Sequence, residues 1–88
     1  MPSVAFTRRA LRDLRGVSAG DRLRIEAGID ALAGEAANLD VKAIAGHAGW
    51  FRLRVGDWRV LYRRVSASGM LVARIVNRRD LDRAVAQL

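Results

Sequence analysis

Residues Trp50 to Arg63 read as two alternating strands on either side of Gly56-Asp57, with the clearest period-two runs at Phe51 to Val55 and Trp58 to Val60. That pattern predicts two strands joined by a two-residue loop, in which glycine supplies the positive φ that a tight hairpin needs. The loop position fixes the pairing. Val55 faces Trp58, Arg54 faces Arg59, Leu53 faces Val60 and Arg52 faces Leu61. Because strand side chains alternate between faces, Phe51, Leu53, Val55, Trp58, Val60 and Tyr62 share one side, and Arg52, Arg54, Arg59 and Arg63 share the other. One face is built for a core. The other is built for water or for an anion.

The remaining pattern is read the same way. Residues Ser3 to Thr7 alternate and predict a short first strand. Thr7 is placed to cap a helix running through Arg15, with Leu11 and Leu14 on one face and Gly16 as its stop. Ser18 and Asp21 resemble a capping box with Asp in place of Glu, opening a second helix that reaches about Leu32 or Gly34. Ile25, Ile29 and Leu32, spaced i, i+4, i+7, should face the core. Asn38 to Gly49 reads as a Gly- and Ala-rich loop, Ser66 to Gly69 as a turn, and Met70 to Asn77 as a last strand of mixed pattern. Arg79 to Leu88 is either a short helix or a loose tail. The order is βααβββ: an α+β fold, with two N-terminal helices on one face of a small antiparallel sheet and no helix on the other. No linker or repeat divides the chain, so residues 1–88 are expected to be one domain.

Composition narrows the chemistry. A hydrophobic content of 51% suits a folded globule. With no cysteine and a single histidine, disulfides, thiol chemistry, Cys-ligated metals and a His cluster are excluded within one chain, and no cofactor is expected. No apolar run approaches the roughly 20 residues of a membrane span. The first residues lack the order of a signal peptide, so the cytoplasm is the expected compartment. The net charge of +7 favours a polyanionic partner, and Lys42 is the only lysine among 16 basic residues. Arginine grips phosphate bidentately and stacks on bases, which suits nucleic acid. A GC-rich genome explains surface arginines in general equally well, but not their collection on one strand face.

Arg54 and Arg59, directly opposed and with no acid on either strand's side of that face, should repel each other unless a bound phosphate offsets them; a plain solvated face is the alternative. Arg74 and Arg78 share parity on the last strand and join the basic face if the register holds, whereas a bulge would move them off it. Trp50 has the parity of Arg52 and is the candidate base-stacking platform; Trp58 and Tyr62 read as core or rim. His47 is either a solvated loop residue or a proton carrier, and Asp80 and Asp82 read as surface charge pairs.

The run Trp50-Phe51-Arg52-Leu53-Arg54-Val55-Gly56-Asp57-Trp58-Arg59-Val60-Leu61-Tyr62 resembles the core signature of the RelE/ParE superfamily of bacterial toxins. Phe6 to Leu14, Leu39 to Gly46 and Ile75 to Asp80 resemble, in order, the family's first strand and helix, its pre-hairpin loop and its last strand. The resemblance implies the toxin half of a type II toxin–antitoxin pair, silenced by a small acidic antitoxin and meeting operator DNA only through it. RelE-like members cut mRNA on the ribosome without metal, and that reading is favoured here; a ParE-like inhibitor of DNA gyrase, or a basic RNA-binding module without catalysis, are the alternatives. By resemblance, Arg52, Arg54, Arg59 and Arg78 are expected to be catalytic, holding the scissile phosphate. Trp50, Arg63 and Arg74 are expected to bind substrate. Asp82 stands where the family often has a tyrosine, which leaves proton transfer to Asp80, Asp82, His47 or groups of the ribosome.

Overall fold

A computed structural model describes residues 3–88. The chain runs β1 (Ser3–Phe6), α1 (Arg8–Arg15), α2 (Ala19–Ala33), β2 (Val41–Ala43), β3 (Trp50–Val55), β4 (Trp58–Arg64), β5 (Gly69–Asn77), a 3-10 turn (Arg78–Asp80) and α3 (Leu81–Ala86). The α+β class stands, the βααβββ order holds with one strand, β2, added after the helices, and the five strands form one sheet in the order β1-β5-β4-β3-β2. The sheet is mixed rather than wholly antiparallel, because β1 pairs with β5 in parallel. Local pattern fixes where a strand lies, but a long crossover decides its direction. Here α1 and α2 carry the chain across the sheet, and the meander β2 to β5 brings it back beside β1.

The helices begin where the caps predict. The Thr7 hydroxyl accepts from the Ala10 N–H at 3.0 Å, and the Ser18 hydroxyl accepts from the Asp21 N–H at 3.4 Å. The hairpin pairs as the loop position dictates, with Val55 opposite Trp58, Arg54 opposite Arg59 and Leu53 opposite Val60. Gly56 has φ +58° while Asp57 stays outside the left-handed region, as a type II′ loop requires.

Leu53, Val60, Tyr62, Met70, Val72 and Ile75 from the sheet meet Ala10, Val17, Ile25, Ile29 and Leu32 from the helices and connection in the main core. Phe51 stacks on Tyr62 with ring centroids 5.7 Å apart. The close approach of α2 to β3 depends on Gly28, where a Cβ would stand 2.8 Å from Val55 Cγ2.

Three features depart from expectation. The region Asn38–Gly49 is not all loop, since Val41–Ala43 forms the edge strand β2 against β3. A register shift at Leu61/Tyr62 gives β5 one extra residue, so Met70, Val72 and Ile75 all reach the core despite their broken alternation. The face opposite the main helices is partly covered, because α3 packs there: Ala84 joins Leu61 and Val76, flanked by Ile44, Leu81, Val85 and Leu88. The C-terminal segment is thus a docked helix, not a loose tail.

Candidate functional site

The far face of the hairpin carries the arginines. Arg54 and Arg59 lie directly across from each other, and both donate to one acceptor, the Gly56 carbonyl, from Arg54 Nε at 3.3 Å and Arg59 Nη1 at 2.9 Å. Arg59 Nη1 also donates to the Trp58 carbonyl at 3.0 Å. The turn thus supplies the negative pole that lets two like charges sit opposite one another. The balance is incomplete: burial first, and then the nearby charges of Arg52 and Arg54, pull the Arg59 guanidinium below its ordinary range, with Arg78 adding in the same sense. Arg52, Arg54, Arg59 and Arg78 therefore share one electrostatic neighbourhood, the four brought together at the Gly56 end of the sheet.

Two acids serve this cluster. Asp40 accepts from Arg52 Nη1 at 2.9 Å and lies 3.7 Å from Arg54 Nη1. The hydrogen bond from Arg52 holds its carboxyl below the usual carboxylate range, and the charges of Arg52 and Arg54 act in the same direction. Asp57 lies 3.8 Å from Arg78 Nε, and its carbonyl accepts the Arg78 N–H at 2.7 Å. The expectation that no acid serves Arg54 is corrected here. No acid stands on β3 or β4, but Asp40 comes from the segment before β2. The Gly- and Ala-rich pattern of residues 38–49 predicts a loop and gives no sign of the pairing that brings Asp40 here. The strand register, Val41 opposite Leu53, delivers Asp40 beside Arg52 and Arg54, and the Asp40 carbonyl accepts the Arg54 N–H at 2.9 Å. Four guanidiniums against two carboxylates leave a net positive surface patch, suited to a phosphate whose oxygens match the guanidinium fork.

The other expected substrate residues lie elsewhere. Trp50 and Arg63 pair at the opposite end of the hairpin, about 16 Å along the strands from the Gly56 loop, where the Arg63 guanidinium sits 5.7 Å from the Trp50 ring centroid. The apolar patch under α3 lies between the two ends. Arg74 has the parity of the basic face, because the register shift sets it opposite Leu61, two pairs from Arg59, but its guanidinium is held at the sheet edge, where Nε donates to Asp13 Oδ2 at 2.9 Å. Trp58 packs against the core and donates from Nε1 to Asp21 Oδ2 at 3.2 Å, a contact that, ahead of Arg24, lowers the Asp21 carboxyl below its ordinary range. Asp80 pairs with Arg83 at 3.9 Å, the surface pairing expected of it. Neither His47 nor Asp82 makes a side-chain hydrogen bond or ion pair to the cluster among the described residues.

Residues 4–82 match the profile of a family described as the ParE toxin of type II toxin–antitoxin systems, parDE. The chain belongs to this family. It is therefore a toxin of the RelE/ParE superfamily, as its hairpin suggests. A comparison with curated proteins finds no match. Among solved structures, the fold is similar to the RelB–RelE antitoxin–toxin complex of Methanococcus jannaschii, with 24% identity, TM-score 0.74, and 91% of this chain and 96% of that one covered. It is similar to the RelBE2 toxin–antitoxin complex of Mycobacterium tuberculosis, with 23% identity, TM-score 0.70, and 88% and 99% covered. The isolated Escherichia coli RelE toxin matches at 14% identity and TM-score 0.72, with 99% and 98% covered. At these identities the likeness is one of fold. It extends over nearly the full length of each chain, so the toxin has no large insertion relative to them.

Proposed function

We propose that the arginine cluster binds and cleaves RNA, and that the toxin is a RelE-like, ribosome-dependent mRNA endonuclease. The observation that carries this reading is the convergence of Arg52, Arg54, Arg59 and Arg78 at one end of the sheet with, among the described residues, only Asp40 and Asp57 against them. In the proposed step the ribose 2′ oxygen attacks the adjacent phosphorus. The O2′–P bond forms and the P–O5′ bond breaks, leaving a 2′,3′-cyclic phosphate and a 5′-hydroxyl. Guanidiniums stabilise the charge gathering on the phosphoryl oxygens, the largest single contribution in sites of this kind. Arginine stays protonated and cannot take the 2′-hydroxyl proton. Asp40, the carboxylate in contact with Arg52 and Arg54, is the candidate to take it. The proton returned to O5′ comes from water or from a group of the ribosome.

A cognate acidic antitoxin follows from the same reading. The net charge of +7 favours such a partner, and several solved relatives are complexes of a toxin with its antitoxin. Operator DNA is then met only through that antitoxin, and the toxin acts in the cytoplasm, where its target is.

A second reading, inhibition of DNA gyrase, is favoured by the family match, which is to ParE toxins. The deciding experiment is single-turnover cleavage of mRNA on programmed ribosomes by the parent and by Arg54→Ala and Arg59→Ala, beside pulse labelling after induction in cells. The nuclease reading expects cleavage by the parent, its loss in both variants, and an early stop in protein synthesis. Intact mRNA, with DNA synthesis stopping first and gyrase-dependent DNA breaks, rejects it for the second reading.

A further inference from the structure

A groove of about 720 Å³ runs between α1 and the C-terminal segment, along the part of β5 that β1 leaves uncovered. Five arginines line it: Arg9, Arg12, Arg74, Arg79 and Arg83. Its acids, Asp13 and Asp80, are already engaged by Arg74 and Arg83. Arg12 and Arg79 make no ion pair among the described residues, and Arg83 is 79% exposed, 3.9 Å from its acid.

We propose that this groove holds the phosphate backbone of the RNA strand flanking the scissile phosphate, an inference that rests on the RNA reading above. The groove adjoins the arginine cluster. Asn77 and Arg79, which line it, bracket Arg78, and Trp58, which also lines it, precedes Arg59. A strand held at Arg54, Arg59 and Arg78 thus meets a second row of guanidiniums as it leaves the site. The sheet edge here is closed to an added peptide strand at its centre, because Asp13 Oδ2 already accepts the Ile75 N–H at 3.0 Å. Recognition therefore falls to side-chain charge. Of the groove's apolar lining, Val17, Ile75, Val76 and Ala84 are buried and Trp58 is half-buried, which leaves little exposed apolar surface where a protein partner would need a deep apolar anchor. A chain of evenly spaced phosphates needs none.

The test measures binding of a labelled, uncleavable 2′-O-methyl RNA oligonucleotide across a salt series. It compares the parent, the groove triple Arg12→Gln/Arg79→Gln/Arg83→Gln, and a control triple of equal charge loss, Arg8→Gln/Arg15→Gln/Arg64→Gln. Single-strand binding carries a salt slope of about 0.7 per phosphate contact, so three lost contacts lower the slope by about 2 and the affinity by about 100-fold at 0.1 M salt. The single variant Arg12→Gln should lose about 5-fold by the same relation, which keeps the test open if the triple misfolds. The control triple should stay well above the groove triple. Equal affinity in the two triples overturns this inference and leaves the nuclease reading intact. A parent that does not bind RNA overturns this inference, while the ribosome-dependent nuclease reading stands or falls on the cleavage assay above. A groove triple that binds RNA like the control but loses its grip on the antitoxin assigns the groove to the acidic partner and overturns the inference.

Discussion

Replacing Asp13 tests how the β5 edge is held. Asp13 stands in the last turn of α1, where a negative charge opposes the helix dipole and costs about 0.3–1 kcal/mol. It persists there because of what it joins. Its Oδ2 accepts the N–H of Ile75, a core residue 2% exposed, at 3.0 Å, and Arg74 Nε at 2.9 Å; its Oδ1 lies 3.6 Å from Arg9 Nε. In Asp13→Ala the Ile75 N–H loses its partner, a cost of about 1–2 kcal/mol, and the charged bond to Arg74, whose side chain is 16% exposed, costs about 1.5–2 kcal/mol more. Relief of the dipole returns less than about 1 kcal/mol. The tertiary losses win, and the net destabilisation is about 2–3 kcal/mol, or about 10–20 °C in Tm for a domain of this size. Asp13→Asn keeps an acceptor for Ile75 and loses only the charge, so it should fall about midway. Urea unfolding followed by circular dichroism at neutral pH measures all three proteins. An Asp13→Ala variant within about 0.5 kcal/mol of the parent refutes the reasoning, as does an Asn variant less stable than the Ala one.

Arg54→Ala and Arg59→Ala should each abolish growth inhibition on induction while unfolding within about 0.5 kcal/mol of the parent, since each removes an exposed or rim charge from a mutually repelling set; full toxicity in both would place the site elsewhere. Leu53→Asp should prevent folding, because Leu53 is 1% exposed opposite Val60 and an unpaired buried carboxylate is strongly unfavourable. A soluble variant that unfolds cooperatively near the parent temperature would contradict the face assignment. Burial raises the Tyr62 phenol above its ordinary 10.0, so its contribution to stability is present below pH 10 and lost as pH rises past that value through the folded-state one. Tyr62→Phe should flatten that alkaline limb in pH-dependent unfolding, and an unchanged limb would assign it to another group. Asp40 is shifted the other way, chiefly by the Arg52 hydrogen bond, so its contribution is present above its ordinary 3.8 and lost as pH falls below it. Asp40→Asn should flatten the acid limb, and an acid limb that keeps its slope would deny Asp40 that part.

Much of the molecule was decided within short stretches of chain. Period-two alternation broken at Gly56 is enough to set the hairpin register, because the loop geometry leaves one pairing that matches strand twist. Thr7 and Ser18 mark the helix starts because their hydroxyls satisfy amide groups only three residues away. Ile25, Ile29 and Leu32 reach the core because helical spacing puts them on one stripe. The common face of Arg52, Arg54 and Arg59 follows from the same alternation. Other features depended on what lies across the sheet. A three-residue edge strand has too little pattern to be seen, so β2, and with it Asp40, emerged only when β3 was there to pair with. The direction of β1 was set by a crossover of two helices, not by its own four residues. The register shift beside Leu61 set Arg74 opposite Leu61, on the face of Arg59, and Asp13 at the sheet edge took its guanidinium. And α3 covers Leu61 and Val76 because a sheet buries apolar surface on whichever face exposes it. Periodicity and turn chemistry act over a few residues and can be read in order. Charge pairing and surface coverage join residues far apart in the chain, and only the folded arrangement brings them within reach.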